Sequence, residues 1–313
     1  MPDLSDKVCL VTGVSRGVGR GTALQLASYG GTCYITGRKL ATLEDVQREA
    51  EEREYEGTVI PIECDHQTWG KTWRAFEQIL AERNGQLDLL VNNAYAAVEY
   101  AIENYSTDFW NQFMPDWELM NGVDPRNHYN SVFAARLMAP NRSGLIVDIS
   151  SDGGKMYFNI PAYGIGKAAV DRIARNPSVD LKNFNVAFVS LWPGMVRTED
   201  MTGFVGEDDK PPPNEIRAIC RRLMGCSESI EFPGMCIAHM LADENIMKKS
   251  GQILLTTDLA EEYKFKDIDG QSPLSERSFK MLAEIRGWKR LASFLPSWLK
   301  LPKFLYMMLM TSV

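Results

Sequence analysis

The chain has 313 residues, 45% of them hydrophobic and 24% charged, and a formal net charge of −7. That balance fits one large α/β domain or two modest ones, and it speaks against bulk attraction to nucleic acid. Six cysteines without CxxC spacing and three scattered histidines (His66, His128, His239) predict free thiols in a reducing compartment and no metal site. The charged start MPDLSDK runs straight into VCLVTG with no basic region or small-residue cleavage site, so no secretory signal is expected. No run of ~20 apolar residues occurs, so no ordinary spanning helix is expected.

Short apolar runs alternate with helix-length segments. VCLVT (8–12) predicts the first strand, and the helix after it should end near Tyr29. CYIT (33–36) precedes ATLEDVQREAEERE, and VIPIEC (59–64) precedes WGKTWRAFEQILAER. LDLLVN (87–92), LIVDIS (145–150), VAFVSLW (186–192) and GQILLT (251–256) complete seven candidate strands. These runs are apolar throughout rather than alternating, as expected when helices cover both faces of a parallel sheet. Repeated strand–helix–strand units predict an α/β, doubly wound (Rossmann) seven-stranded sheet within residues 1–257. Residues 258–313 form a C-terminal extension ending in FLPSWLKLPKFLYMMLM.

VTGVSRGVG (11–19) lies between the first strand and the first helix, with glycines at 13, 17 and 19. Glycine permits a tight turn and lets backbone N–H groups approach a pyrophosphate at a helix N-terminus. Gly13, Gly17 and Gly19, with Ser15, Arg16 and Val18 between them, are therefore candidate cofactor contacts. Sites for NAD usually place an acid near the end of the second strand. Here YITGRK gives Gly37 and Arg38, with no acid. A guanidinium can bind a 2′-phosphate that a carboxylate would repel, so Arg38, helped by Arg16, predicts NADP(H) over NAD(H).

Tyr163 and Lys167 stand four apart in AYGIGKAAVD and share a helix face. A lysine cation beside a phenol favours tyrosinate, which makes tyrosine a better proton donor near neutral pH. Ser151 ends the fifth strand, where a hydroxyl can bind a developing oxyanion. Ser150 competes for that role, but it should point to the other side of the strand.

TGVSRGVG, Asp65 after the third strand, NNA (92–94), ISS (149–151), YGIGK (163–167) and PGMVRT (193–198) occur in an order that resembles the short-chain dehydrogenase/reductase superfamily, in its single-domain branch. The resemblance covers about residues 5–257. It implies hydride transfer from a nicotinamide to a carbonyl carbon, with Tyr163 as donor and Lys167 tuning it and holding the ribose. It also implies that Asp65 contacts the adenine and that Asn92 and Ala94 help fix the cofactor. Val196 and Thr198 would hold the carboxamide and phosphates. Gly164 and Gly166 would leave room beside the Tyr/Lys face for the nicotinamide ribose.

Three departures stand out. Many relatives carry an asparagine in the helix after the fourth strand, where counting back from RNHY gives Asp124. Asn121 could substitute only in another register. Asp124 stays in the candidate catalytic set, and an anion there would oppose tyrosinate formation. Tyr95 replaces a common glycine after NNA, either narrowing the site or packing. Pro177 lies inside the helix that carries Tyr163 and Lys167, so a kink or early end is expected near Asn176. That segment packs in an oligomer interface in the family, so oligomerisation is in doubt.

Residues 97–120 carry Tyr100, Tyr105, Phe109, Trp110, Phe113 and Trp117. They could wall a site for a bulky lipophilic carbonyl such as a steroid, aromatic ketone, quinone or xenobiotic, or simply pack under a long loop. The tail could lie on a membrane surface through its tryptophans, tyrosine and lysines, or pack back on the domain or on a partner subunit. Resemblance to a family member associated with the endoplasmic reticulum implies peripheral attachment on the cytosolic side, with a cytoplasmic protein as the alternative. The expected activity is NADPH-dependent carbonyl reduction or alcohol oxidation. The rival reading is an NADP(H)-binding sensor or scaffold without turnover.

Overall fold

A computed structural model describes residues 1–104, 107–112, 115–123, 125–157, 160–206 and 215–310. All seven apolar runs are strands: β1 (Val8–Thr12), β2 (Thr32–Gly37), β3 (Thr58–Glu63), β4 (Leu89–Asn92), β5 (Gly144–Ile149), β6 (Val186–Trp192) and β7 (Ile253–Leu255). They form one parallel sheet in the order β3-β2-β1-β4-β5-β6-β7. The winding reverses between β1 and β4, which opens a crevice at the carboxyl ends of these strands. Two strands are shorter than the sequence predicts. The carboxylate of Asp88 accepts the Val8 N–H at 2.9 Å instead of extending β4, and Thr256 already starts a helix after β7.

The helices in chain order are α1 (Gly17–Ser28), α2 (Leu40–Glu52), α3 (Trp69–Glu82), α4 (Val98–Asn104), α5 (Pro115–Asn121), α6 (Asn127–Asn141), α7 (Pro161–Leu181), α8 (Glu199–Val205), α9 (Glu215–Leu223), α10 (Phe232–Leu241), α11 (Thr256–Tyr263), α12 (Phe279–Ile285), α13 (Lys289–Phe294) and α14 (Lys303–Leu309). Successive strand residues feed opposite cores. Cys9, Val11, Ile35, Val91, Val147 and Val189 pack under α1, α2, α10 and α11. Val8, Leu10, Tyr34, Leu90, Ile146 and Phe188 pack under α3, α6 and α7. Burying each such aliphatic or aromatic side chain contributes roughly 1.5–3 kcal/mol. That explains the unbroken apolar strands.

The expected early end of α7 at Asn176 does not occur: the helix runs on through Pro177 to Leu181. Proline forfeits one backbone bond, a cost of about 3 kcal/mol. Ala174, Ser178 and Leu181 are buried on the same stretch, and this burial carries the helix past the gap.

The tail folds back on the domain. Tyr306 of α14 is buried with Trp192 and Leu255 at the β6–β7 edge. Leu274 and Met281 pack against Leu223 of α9. α11 itself crosses position 257, and its Leu259 and Ala260 belong to the main core.

Candidate active site

The carboxyl end of β5 and the first turns of α7 bring three side chains together. Ser151 Oγ and the Tyr163 hydroxyl share a hydrogen bond at 2.7 Å. The Tyr163 ring lies so close to Gly153 that a Cβ there would collide with it. Lys167 is buried, and its Nζ donates to the Ile149 carbonyl at 3.2 Å. That cation stands 6.0 Å from the Tyr163 ring centre and 4.9 Å from that of Tyr95, which meets Tyr163 edge-on. Tyr95 thus packs on the Tyr163–Lys167 pair and supplies a ring face to the lysine. Ser150 turns the other way and donates to the Lys167 carbonyl at 3.2 Å, so it ties the strand to the helix. Asp171, one turn beyond Lys167, accepts from Ser190 at 2.6 Å and from the Trp192 indole at 2.9 Å. These bonds lock α7 to β6.

The glycines of AYGIGK have a different reason from the one expected. A Cβ on Gly166 would run into the Asn121 side chain, and one on Gly164 would lie 3.0 Å from the Gly153 carbonyl. The two small residues are thus needed for the close packing of α7 against Asn121 and Gly153. Asn121 also donates to the Ala162 carbonyl at 3.2 Å, so it packs α5 onto the start of α7. Asp124, Tyr105 and Phe113 lie outside the described residues. Of the described aromatics in 97–120, Tyr100 joins the cluster around Tyr163, whereas Phe109 and Trp110 are exposed.

The glycine turn sits at the end of β1 as predicted. Gly13 adopts φ +69°, and a Cβ there would lie 2.6 Å from the Ala94 Cα. The Thr12 hydroxyl accepts from the N–H groups of Asn93 and Ala94, both at 3.0 Å. The Asn93 amide donates to the carbonyls of Thr12 and Gly13, both at 2.9 Å. The Gly17 N–H, at the N-terminus of α1, donates to the Glu199 carboxylate at 3.0 Å. Arg16 pairs with Asp200 at 3.1 Å, and Arg20 pairs with Glu49 at 2.5 Å and lies 3.7 Å from Glu199. An anion already rests on this turn, supplied by the protein itself. The turn therefore fits an anionic cofactor group on its own geometry. Ser15 is exposed, Val18 is half-buried and Gly19 is closed in by Asn93. Arg38 is exposed just past β2, with no ion-pair partner among the described residues.

Thr198 caps α8 by accepting the Met201 N–H at 3.1 Å, and its methyl group would lie 3.3 Å from a Cβ on Gly17. The 193–198 loop therefore reaches the glycine turn. Val196 is buried and bridges to Glu228. Asp65 turns its carboxylate onto the Gln67 N–H at 3.0 Å. Asn92 departs from its expected place. Its buried amide donates to Asp148 at 2.7 Å and Ser131 at 2.9 Å and accepts from Asn130 at 3.0 Å, so it joins β4, β5 and α6 instead of facing the crevice.

Sequence reasoning passed over several groups around the site. Asp152, next to Ser151, has its carboxyl pushed up to about 6 by burial. His66 bridges the hydroxyls of Thr36 (2.7 Å) and Thr72 (3.5 Å), and burial pushes its imidazole down to about 4. Glu199, Glu228 and Glu276 also belong here. The first could have been read from its place in PGMVRTE. The other two lie too far along the chain for any local pattern to link them to the loop.

The family description short chain dehydrogenase matches residues 7–210. The chain is 41% identical over 304 residues to the mouse protein dehydrogenase/reductase SDR family member 1, covering 96% of both chains, and 40% identical over 305 residues to the human protein of that name, again covering 96% of both. Among solved structures it resembles a short-chain type dehydrogenase/reductase from Mycobacterium marinum, with TM-score 0.68 and 22% identity over 81% of this chain and 94% of that one. It also resembles an NADPH dependent reductase involved in bacilysin biosynthesis, with TM-score 0.66 and 24% identity over 80% of this chain and 96% of that one. The chain belongs to the short-chain dehydrogenase/reductase family.

Proposed function

We propose that the protein is an NADP(H)-dependent carbonyl reductase or alcohol dehydrogenase for a lipophilic substrate. The 2.7 Å bond between Ser151 and Tyr163, beside the buried Lys167, carries this reading. The nicotinamide supplies or accepts the hydride. Ser151 binds the substrate oxygen as charge develops on it. Tyr163 donates the proton to that oxygen, or takes it from an alcohol. Lys167 favours the tyrosinate that follows donation.

Arg38 in place of an acid supports the choice of NADP(H), because its free guanidinium can meet a 2′-phosphate. The apolar cluster of Tyr95, Ala97, Tyr100, Met120 and Ile160 around Tyr163 supports a lipophilic substrate. Turnover of NADPH and NADH against steroids, quinones, diketones, aromatic ketones and aldehydes tests the reading. Oxidation of NADPH on at least one of these carbonyls is expected. No turnover on any of them, with cofactor still bound, favours the sensor reading.

The same proposal places the tail on the cytosolic face of an anionic membrane such as the endoplasmic reticulum. Among the described residues no helix is long and apolar enough to cross a membrane. The inner side of the tail packs on the domain, whereas Trp288, Phe294, Trp298, Phe304 and Met308 are exposed. Residues 279–313 hold six basic side chains against one acidic, in a chain of net charge −7. Basic residues beside exposed aromatics suit an anionic lipid interface.

A further inference from the structure

The 193–198 loop is bonded to Glu228 at several points. The Glu228 N–H donates to the Met195 carbonyl at 2.8 Å, and the Glu228 carbonyl accepts the Arg197 N–H at 2.8 Å. The Glu228 Oε1 atom accepts the Gly194 N–H at 2.9 Å and also the Thr256 hydroxyl. Its other carboxyl oxygen is buried and has no hydrogen-bond partner among the described residues. Across Gly194 stands Glu276, from the segment between α11 and α12. One of its oxygens accepts from Thr257 at 3.3 Å, and the other is also buried without a hydrogen-bond partner among the described residues. A Cβ on Gly194 would run into both carboxyl groups. The extension thus brings a second carboxyl against the one that holds the loop.

Two buried carboxyl groups gathered around the same glycine cannot both ionise cheaply. Burial raises the Glu228 carboxyl, and the neighbouring Glu276 raises it further. Burial raises Glu276 as well, and Asp152 and Asp258 add to that. Asp267 faces the pair and is bonded to Ser229 at 2.8 Å, while the Tyr306 phenol lies near Glu276 and Asp152. The nearby cations are engaged: Arg277 with Asp258 at 2.5 Å, and Arg197 with Asp269 at 3.0 Å. Among the described residues no group of three His, Cys, Asp or Glu side chains could hold a metal ion. A proton shared between the two carboxyls would relieve the charge on both at once.

We propose that Glu228 and Glu276 are positioning residues that share one proton and thereby fix the 193–198 loop. The inference rests on the reading that this loop covers the nicotinamide. With the proton in place, one carboxyl donates to the other and clamps the extension to the loop. Loss of the proton leaves two anions facing each other, and the loop loosens. The closed loop binds more protons than the open one, so closure weakens as pH rises.

The test uses the full-length protein and two measurements from about pH 6 to about pH 9. One is hydrogen exchange at the Gly194 amide without cofactor, corrected for intrinsic exchange. The other is NADPH affinity by fluorescence titration. In the wild type both should weaken together, by about tenfold for a one-unit difference between the closed and open pKa values. Glu276→Gln keeps a donor against Glu228 without a second charge, so both profiles should flatten. Glu276→Leu should be weak at every pH. Circular dichroism checks that the variants fold. A Glu276→Gln profile that tracks the wild type overturns the proposal. If Gly194 protection follows the expected pattern but NADPH affinity does not, the pair still positions the loop. The assignment of that loop to the nicotinamide is then wrong.

Discussion

At the end of β5, Ser151, Tyr163 and Lys167 are fixed by atoms that stay where they are. The Ile149 carbonyl, the Gly153 backbone, the Tyr95 ring and the Asn121 side chain surround them. At the end of β1, the Gly17 amide and Arg16 are also satisfied, but by Glu199 and Asp200 at the start of the seven-residue helix α8. The first arrangement can survive cofactor entry unchanged. The second must be exchanged, because the Glu199 carboxylate occupies the amide that an incoming phosphate would take. On the proposed reading, reaction geometry is built in, whereas cofactor affinity is a difference between two anions competing for one turn.

The sharpest break in this comparison is Tyr163→Phe. It should lower kcat by about 10²–10⁴, the usual worth of a positioned proton donor, with NADPH affinity almost unchanged. A similar loss in affinity would show that the catalytic end also carries binding. Arg38→Asp should act at the other end only. NADPH binding should weaken by about tenfold or more while NADH binding holds, since a charged hydrogen bond is worth roughly 1.5–3 kcal/mol. Equal binding of the two cofactors by the wild type would remove Arg38 as the selector. Glu199→Gln should strengthen NADPH binding by about threefold to tenfold, because the neutral amide competes less well for the Gly17 N–H. Calorimetric titration reads this directly, and an unchanged Kd would mean that Glu199 does not compete.

The smallest effect concerns Asp152. Its carboxyl is raised from 3.8 to about 6, so the folded protein holds the proton more tightly than the unfolded chain does. Its stabilising contribution is complete below about pH 4 and is lost as pH rises through about 6. Asp152→Asn should flatten the melting temperature across that window by roughly 1–3 °C.

The sheet was legible because strands buried on both faces leave unbroken apolar runs such as VCLVT and VAFVSLW. That Ser151, Tyr163 and Lys167 would meet, and that the glycine turn would follow β1, was legible because each rests on local spacing. The role of Asn92 was not, since its partners Asp148, Ser131 and Asn130 come from two other elements. Pro177 misled for a related reason. A local penalty of about 3 kcal/mol is visible in sequence, but the burial of Ser178 and Leu181 that offsets it is not. The spacing of AYGIGK showed that small residues were needed without showing that Asn121 and Gly153 were the neighbours needing them.

The clasp on the 193–198 loop also imposes an order in time. Glu276 and Tyr306 follow all seven strands along the chain, so they leave the ribosome after the whole sheet has been made. The sheet can begin to assemble from the N-terminus during synthesis. The Gly194 turn, however, has no second carboxyl until synthesis has passed residue 276, and Trp192 no covering tyrosine until it has passed residue 306. The nascent protein carries Ser151, Tyr163 and Lys167 long before it carries the residues that secure the loop beside them.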